Sequence, residues 1–174
     1  SNKGDYEKAL DYYERSLTID KELGDKRGMG SSLSNIGMIH HNKGDLDTAL
    51  DYFERSLAID EELGDKRRMG YSLNNIGIVN GEKGDYEKAL DYFERALAIG
   101  EKLDDKTGMG YSLINIGNVH TDKGDLDTAL DYYGRSLAIR EEIGDKYGMG
   151  GSLNNIGILY YQKYDFDEAL DYYT

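Results

Sequence analysis

The sequence predicts an all-α solenoid of antiparallel helix pairs, on three observations. Gly37, Gly77, Gly117 and Gly157 fall 40 residues apart, and their surroundings repeat with them: Leu33-Ser-Asn-Ile-Gly37 returns as Leu73-Asn-Asn-Ile-Gly77, Leu113-Ile-Asn-Ile-Gly117 and Leu153-Asn-Asn-Ile-Gly157. A second block, Ala49-Leu-Asp-Tyr-Phe53, recurs at Ala89, Ala129 and Ala169. A fixed period of about 20–50 residues marks units that bury an apolar face only by stacking on their neighbours. The apolar positions inside each unit follow helical rather than strand spacing.

Each unit reads as two helices. In the first, A, Met69, Leu73, Ile76, Gly77 and Asn80 recur at helical spacing behind Asp65, a natural N-cap, and the helix stops at Gly84, which can adopt the left-handed conformation. Asp85 then caps a second helix, B, with Tyr86, Ala89, Leu90, Phe93, Leu97 and Leu103 on its apolar side. Asp11/Arg15, Asp51/Arg55, Asp91/Arg95 and Asp131/Arg135 stand at i,i+4 in acid-first order. Such exposed pairs contribute a few tenths of a kcal/mol each.

The resulting array has an orphan helix B at 5–24, full repeats at 25–64, 65–104 and 105–144, and a truncated repeat at 145–174 with a second helix starting at Asp165. Lys3-Gly-Asp-Tyr-Glu-Lys-Ala-Leu10 recurs at Lys83, and Lys43-Gly-Asp-Leu-Asp-Thr-Ala-Leu50 recurs at Lys123. Repeats duplicated in pairs, and a chain opening on Ser1-Asn2-Lys3, suggest a fragment of a longer array.

Composition narrows the function. The net charge of −13 repels phosphate backbones, so nucleic acid is not an expected partner. No apolar run approaches the roughly 18–20 residues of a membrane span. With no cysteine there is no disulfide and no thiolate chemistry, which suits a cytoplasmic protein. His40 and His120 lie two repeats apart, too far to share a metal, and read as packed or hydrogen-bonded. Asp45-x-Asp47 with Asp51 lacks the glycine turn and distal glutamate of a calcium loop. Gly28-Met-Gly30 does not extend into a phosphate cradle. No apolar pocket is evident that would raise a carboxylate pKa for acid catalysis. The expectation is a protein without cofactor and without enzymatic activity.

Leu33-x-x-Ile36-Gly37-x-x-His40 followed by Ala49-x-x-x-Phe53 resembles the tetratricopeptide repeat (TPR) signature, with His40 in the usual aromatic slot. The resemblance implies a right-handed superhelix in which Gly37 and Ala49 let A and B approach closely and Phe53 fills space toward the next repeat. The usual unit is about 34 residues. The longer period is similar to that of kinesin light chains and Pins-type adaptors, and implies a protein-interaction scaffold.

At about 100° per residue, Leu33, Ile36, Gly37 and His40 form the core face of helix A. The opposite stripe reads Ser31, Ser34, Asn35, Met38, Asn42; Tyr71, Asn74, Asn75, Ile78, Glu82; Tyr111, Ile114, Asn115, Asn118, Asp122; and Gly151, Asn154, Asn155, Ile158, Gln162. Arg27 and Arg67 sit at its rim. Neutral and amide-rich, this stripe is the candidate surface for an extended peptide. Its candidate contacts are Asn35, Asn75, Asn115 and Asn155, with Asn74, Asn154, Asn118, Tyr71, Tyr111, Ile78, Ile158, Arg27 and Arg67. The four-fold Asn, each about half a kcal/mol worse than Ala in a helix, has two readings. Its amides bond a ligand backbone, as the resemblance implies, or bond across to a neighbouring helix and set repeat spacing. The slots that hold Lys or Arg in TPR clamps for acidic chaperone tails carry Ser34, Asn74, Ile114 and Asn154, then Met38, Ile78, Asn118 and Ile158, so an internal segment is the expected ligand.

Two other functions fit the same sequence: a structural or self-associating array, and a regulatory or sensor segment of a larger signalling protein. Leu10, Tyr13 and Leu17 at one end, and Phe166, Leu170 and Tyr173 at the other, are expected to be partly uncovered. That would permit weak head-to-tail association.

Overall fold

The structure is a computed structural model that describes the backbone of residues 2–173 and the side chains of residues 5–163. Among these residues there are eight helices and no strand: α1 (Asn2–Leu23), α2 (Lys26–Asn42), α3 (Leu46–Leu63), α4 (Lys66–Glu82), α5 (Tyr86–Leu103), α6 (Lys106–Asp122), α7 (Leu126–Glu142) and α8 (Lys146–Tyr173). They fall into two compact units, Ser1–Tyr92 and Phe93–Thr174.

Helix starts are set by aspartates. Asp25, Asp45, Asp65, Asp85, Asp105, Asp125 and Asp145 each accept a hydrogen bond from the backbone N–H three residues on, satisfying an otherwise orphan donor. The turns between A and B pass through Gly44, Gly84 and Gly124, with φ of 77°, 80° and 78°. A side chain there would strain the backbone by about 1–2 kcal/mol.

In the first unit α1 packs on α2, α2 on α3 and α3 on α4. Leu17, Leu33 and Ile36 form a core joined by Leu10, Tyr13, Met29, Tyr52 and Ile59. In the second, α6 packs on α7 and α7 on α8, with Ala129, Tyr133 and Leu159 at the centre. The closest approach in each seam is glycine against an aromatic ring. A Cβ at Gly37 would lie 2.8 Å from Phe53 Cε1, and one at Gly117 would lie 2.5 Å from Tyr133 Cε1. The aromatic residue therefore seats on the glycine of its own repeat.

The histidines are bonded and stacked. His40 Nδ1 lies 3.0 Å from Asp45 and its ring stacks on Tyr52; His120 pairs with Asp125 at 3.2 Å and stacks on Tyr132. Arg55 and Arg135 cover those tyrosines at 4.9 Å.

Two expectations about the ends change. Leu17 is buried against α2 rather than partly uncovered, while Leu10 and Tyr13 are half-buried, in line with the expectation. The helix expected to begin at Asp165 is not a separate element, because α8 runs unbroken for 28 residues. The residue in the place of Gly44, Gly84 and Gly124 is Tyr164, and a helix that lacks its left-handed stop continues. Phe166, Leu170 and Tyr173 lie outside the described side chains.

The glycine seam predicts opposite effects for two alanines. Gly37→Ala should destabilise the chain by about 1 kcal/mol, since overpacking against buried Phe53 (about 1–3 kcal/mol) outweighs the gain of about 1 kcal/mol in helix propensity. Gly150→Ala, where an added Cβ meets nothing within 4 Å, should stabilise by up to about 1 kcal/mol. Urea unfolding of both variants checks this.

The caps also predict the acid limb of stability. Asp45 and Asp125 are held below the ordinary aspartate value of 3.8 first by Thr48 and Thr128, with His40 and His120 adding to it; Lys88 does the same for Asp85 and the Gly148 amide for Asp145. A lowered folded-state pKa gives stability that is present above the unfolded value and lost as pH falls through the folded one. Melting temperature should therefore hold down to about pH 4 and fall steadily below it, and Asp45→Asn should flatten that fall in a circular dichroism series.

Candidate functional site

The face singled out from sequence carries a cleft in each unit. In the first, Ser31, Ser34 and Asn35 of α2 and Arg68, Tyr71 and Ser72 of α4 form the walls, with Ser56 and Asp60 of α3 as the floor, around a volume of about 370 Å³. Asp60 is only 1% exposed. Its carboxylate accepts from Arg68 Nε at 2.7 Å and from the Ser72 hydroxyl at 2.9 Å, while Arg68 Nη1 donates to Ser31 Oγ at 2.8 Å. Ser56 donates to the Gly30 carbonyl at 2.9 Å. Gly30 also leaves room for the guanidinium, since a Cβ there would lie 3.0 Å from Arg68 Nη2. The cleft thus has a compensated ion pair at its base and neutral hydrogen-bonding groups at its mouth.

In the second unit, Asn118, Thr121 and Asp122 of α6, Tyr133 of α7, and Asn155, Ile158 and Leu159 of α8 enclose about 360 Å³. The Tyr133 hydroxyl donates to Asn118 Oδ1 at 2.7 Å, and Thr121 Oγ1 lies 3.1 Å from the same hydroxyl. Burial pushes the Tyr133 pKa up, so it remains a neutral donor. Asn155 Nδ2 approaches Asn118 Oδ1 at 3.5 Å, the outer limit of a hydrogen bond.

The slot of Asp60 is occupied two repeats on by Arg140, which is 2% exposed. Its guanidinium pairs with Asp145 through Nη1, lies 4.8 Å from the Tyr111 ring centroid, and is accommodated by Gly110, where a Cβ would meet Nε at 3.1 Å. Arg140 Nε is buried without a partner. The same position therefore holds a buried anion in one unit and a buried cation in the other.

Asn35 and Tyr71 line the first cleft, and Asn118, Asn155 and Ile158 line the second. Asn35, Asn154, Tyr111 and Arg67 are exposed; Asn75, Asn115 and Ile78 are half-buried. Asn74 is a correction: it is buried and donates to the Gly70 carbonyl at 3.1 Å, so it is a packing residue of α4. Arg27 is not a spare rim cation, because Nη2 donates to Asp65 at 2.9 Å and ties α2 to the next repeat. Sequence reading missed Arg68, Asp60, Ser56 and Ser72. The available signal was an unmatched arginine at a position that holds glycine in the other repeats (Gly28, Gly108, Gly148), eight residues after an aspartate predicted to be helical.

Among the described residues no helix is long and apolar enough to cross a membrane, and no group of His, Asp or Glu is arranged to hold a metal ion. The tetratricopeptide repeat family model matches residues 2–62, 28–102 and 108–174. The chain belongs to that family, and TPR arrays are non-catalytic protein-interaction scaffolds. Among solved structures it is similar to BtubC from P. vanneervenii, at 24% identity and a TM-score of 0.81 over 98% of this chain and 71% of that one. A Podosopora anserina protein described as a kinesin light chain with nearly identical TPR-like repeats matches at 15% identity and a TM-score of 0.71, over 98% and 84%. A Rap protein complexed with Competence and Sporulation Factor matches at 18% and 0.82, but the chain spans 48% of its length. A comparison with curated protein sequences found no significant match.

The base of the first cleft can be tested by a double-mutant cycle. Arg68→Ala should cost about 3 kcal/mol by leaving the Asp60 carboxylate buried without its cation. Asp60→Ala/Arg68→Ala should cost less than the sum of the singles, with a coupling of about 1–3 kcal/mol in urea unfolding. The next pair of equivalent slots, Gly100 and Gly108, dispenses with the ion pair altogether.

Proposed function

We propose that the chain is a cytoplasmic protein-interaction scaffold that holds an extended, internal segment of a partner protein on the face formed by its A helices. The observation that carries this reading is the chemistry of the two clefts. Ser31, Ser34, Asn35 and Tyr71 in one unit, and Asn118 and Asn155 in the other, offer neutral donors and acceptors suited to peptide groups. Ile158 and Leu159 add an apolar wall for a ligand side chain. In the first cleft the charges are already paired, Arg68 with Asp60, and the charged residue that lines the second is the carboxylate Asp122 rather than a cation. Affinity for an acidic C-terminal tail would need a cation to spare at these positions. The Rap protein, which is complexed with Competence and Sporulation Factor, supports ligand capture by an array of this fold. Site-directed chemistry by acid, base or nucleophile finds no support in either cleft.

The reading is tested by capturing peptides from a displayed random library and measuring the affinity of a captured peptide by fluorescence anisotropy. Asn35→Ala and Asn155→Ala should each weaken it by about 1 kcal/mol, roughly five-fold, with the melting temperature unchanged or raised. A melting temperature several degrees lower with affinity intact would make the asparagines spacers between repeats. Capture only of peptides that depend on a free terminal carboxylate would overturn the internal-segment reading.

A further inference from the structure

The second unit holds a buried guanidinium with a donor left over. Arg140 is 2% exposed, and its Nε–H is buried without an acceptor among the described residues. Nη1 donates to Asp145, whose other oxygen accepts the Gly148 amide at 2.9 Å, and the Tyr111 ring lies over the guanidinium at 4.8 Å. Nε and Nη2 form the remaining edge. The equivalent place in the first unit is a complete carboxylate site, in which Arg68 Nε and the Ser72 hydroxyl both donate to buried Asp60. The second unit keeps a guanidinium, from Arg140, and a serine, Ser152 in the slot of Ser72. The carboxylate bonded to Arg140 is Asp145, which sits at the margin with its side chain 28% exposed and engages Nη1 alone. Ser152, fully buried, has no carboxylate to receive it and donates to Ser136 at the long distance of 3.3 Å.

We propose that the ligand supplies the missing carboxylate: an aspartate or glutamate side chain of the bound segment sits on the Nε–Nη2 edge of Arg140. This rests on the reading of the A-helix face as a peptide-holding surface and adds a sequence preference to it. A carboxylate matches that edge with two parallel, charge-assisted hydrogen bonds, which a neutral amide cannot do. The way in lies along α8. Positions 148 and 151 are glycine where the first unit has Arg68 and Tyr71, and a Cβ at Gly151 would meet nothing within 4 Å. On α6, Tyr111 is half in solvent, so its ring can swing off the guanidinium as the acid arrives. A cation shielded from water attracts far more strongly than an exposed one, which lets a chain of net charge −13 take an acidic group at this point. The same net charge disfavours a run of acids, so one acidic residue at one position is expected.

Acetate, N-methylacetamide and chloride are the first probes. In nitrogen–proton correlation NMR, the Arg140 Nε–H signal, assigned by its loss in Arg140→Lys, should shift saturably with acetate. Equal concentrations of N-methylacetamide or chloride should leave it in place. Peptides captured from a displayed random library then test the preference, and binders should share one Asp or Glu at a fixed position. In synthetic peptides with amidated C-termini, changing that acid to its amide should weaken binding roughly ten-fold to the native chain and under about two-fold to Arg140→Met. Arg140→Lys, which keeps the charge without the forked edge, should also shrink the difference, and serves if Arg140→Met does not fold. The proposal is overturned if acetate leaves the Arg140 signal unmoved, if chloride moves it equally, or if captured peptides share no acid or need a free C-terminus. Capture of no peptide at all would remove the scaffold reading, and the acetate titration would still decide the carboxylate site.

Discussion

The α2–α3 and α6–α7 seams both depend on a glycine giving way to a ring. With Cβ absent at Gly37, the Phe53 ring sits where a methyl group would otherwise be, and Tyr133 does the same at Gly117. That contact draws the two helices close enough for side chains one turn away to reach backbone across the seam. Ser56 reaches the Gly30 carbonyl and Ser136 the Gly110 carbonyl, 26 residues apart in both cases. The acceptor is again a glycine, whose missing side chain opens the carbonyl to approach. Small residues at these positions cost helix propensity of about 1 kcal/mol each, and the cost is offset by buried hydrogen bonds and by aromatic packing.

Beneath this uniform frame the repeats differ most where they are least exposed. The position seven residues after the aromatic of each helix B (Tyr13, Phe53, Phe93, Tyr133) holds Asp20, Asp60, Gly100 and Arg140 in successive repeats. Each choice is compensated locally. Asp20 accepts from Ser32, Asp60 from Arg68 and Ser72, and Arg140 pairs with Asp145 under the Tyr111 ring. In the repeat with Gly100 there is no carboxylate to receive Ser112, which donates to the Gly108 carbonyl of its own helix. A buried charge is costly without its partner, so these slots cannot be exchanged singly between repeats. They give otherwise near-identical units distinct identities, and with them distinct clefts above.

The period, the helix pairs, the aspartate caps and the left-handed glycines were legible because they are local: a cap or turn is decided by residues within four positions of it. The clefts were legible only as a face. Asn35, Tyr71, Asn118, Asn155 and Ile158 were found by helical phase, whereas Asp60 and Arg68 meet through the packing of α3 on α4. Asn74 was misplaced for a related reason. Helical phase puts it beside Asn75, but its amide folds back on Gly70, and the side chain is buried. The continuity of α8 was written in the sequence at Tyr164, where one residue departs from an otherwise invariant Lys-Gly-Asp turn. The segment after it matches helix B at seven of nine positions, though the turn has the stronger physical claim on the backbone.

The two readings of the recurrent asparagine meet at Asn155. Its Nδ2 reaches toward Asn118 on α6 at 3.5 Å, while Asn118 Oδ1 already accepts the Tyr133 hydroxyl at 2.7 Å. A spacer between helices would be expected to hold a short, saturating bond, because a half-satisfied amide contributes little to register. Here the strong bond belongs to the tyrosine, and the asparagine amide keeps donor and acceptor capacity at the mouth of a cleft. An amide in that state loses little by exchanging its long contact for a peptide carbonyl. We therefore propose the asparagine at this position as one kept for a ligand rather than for the stack.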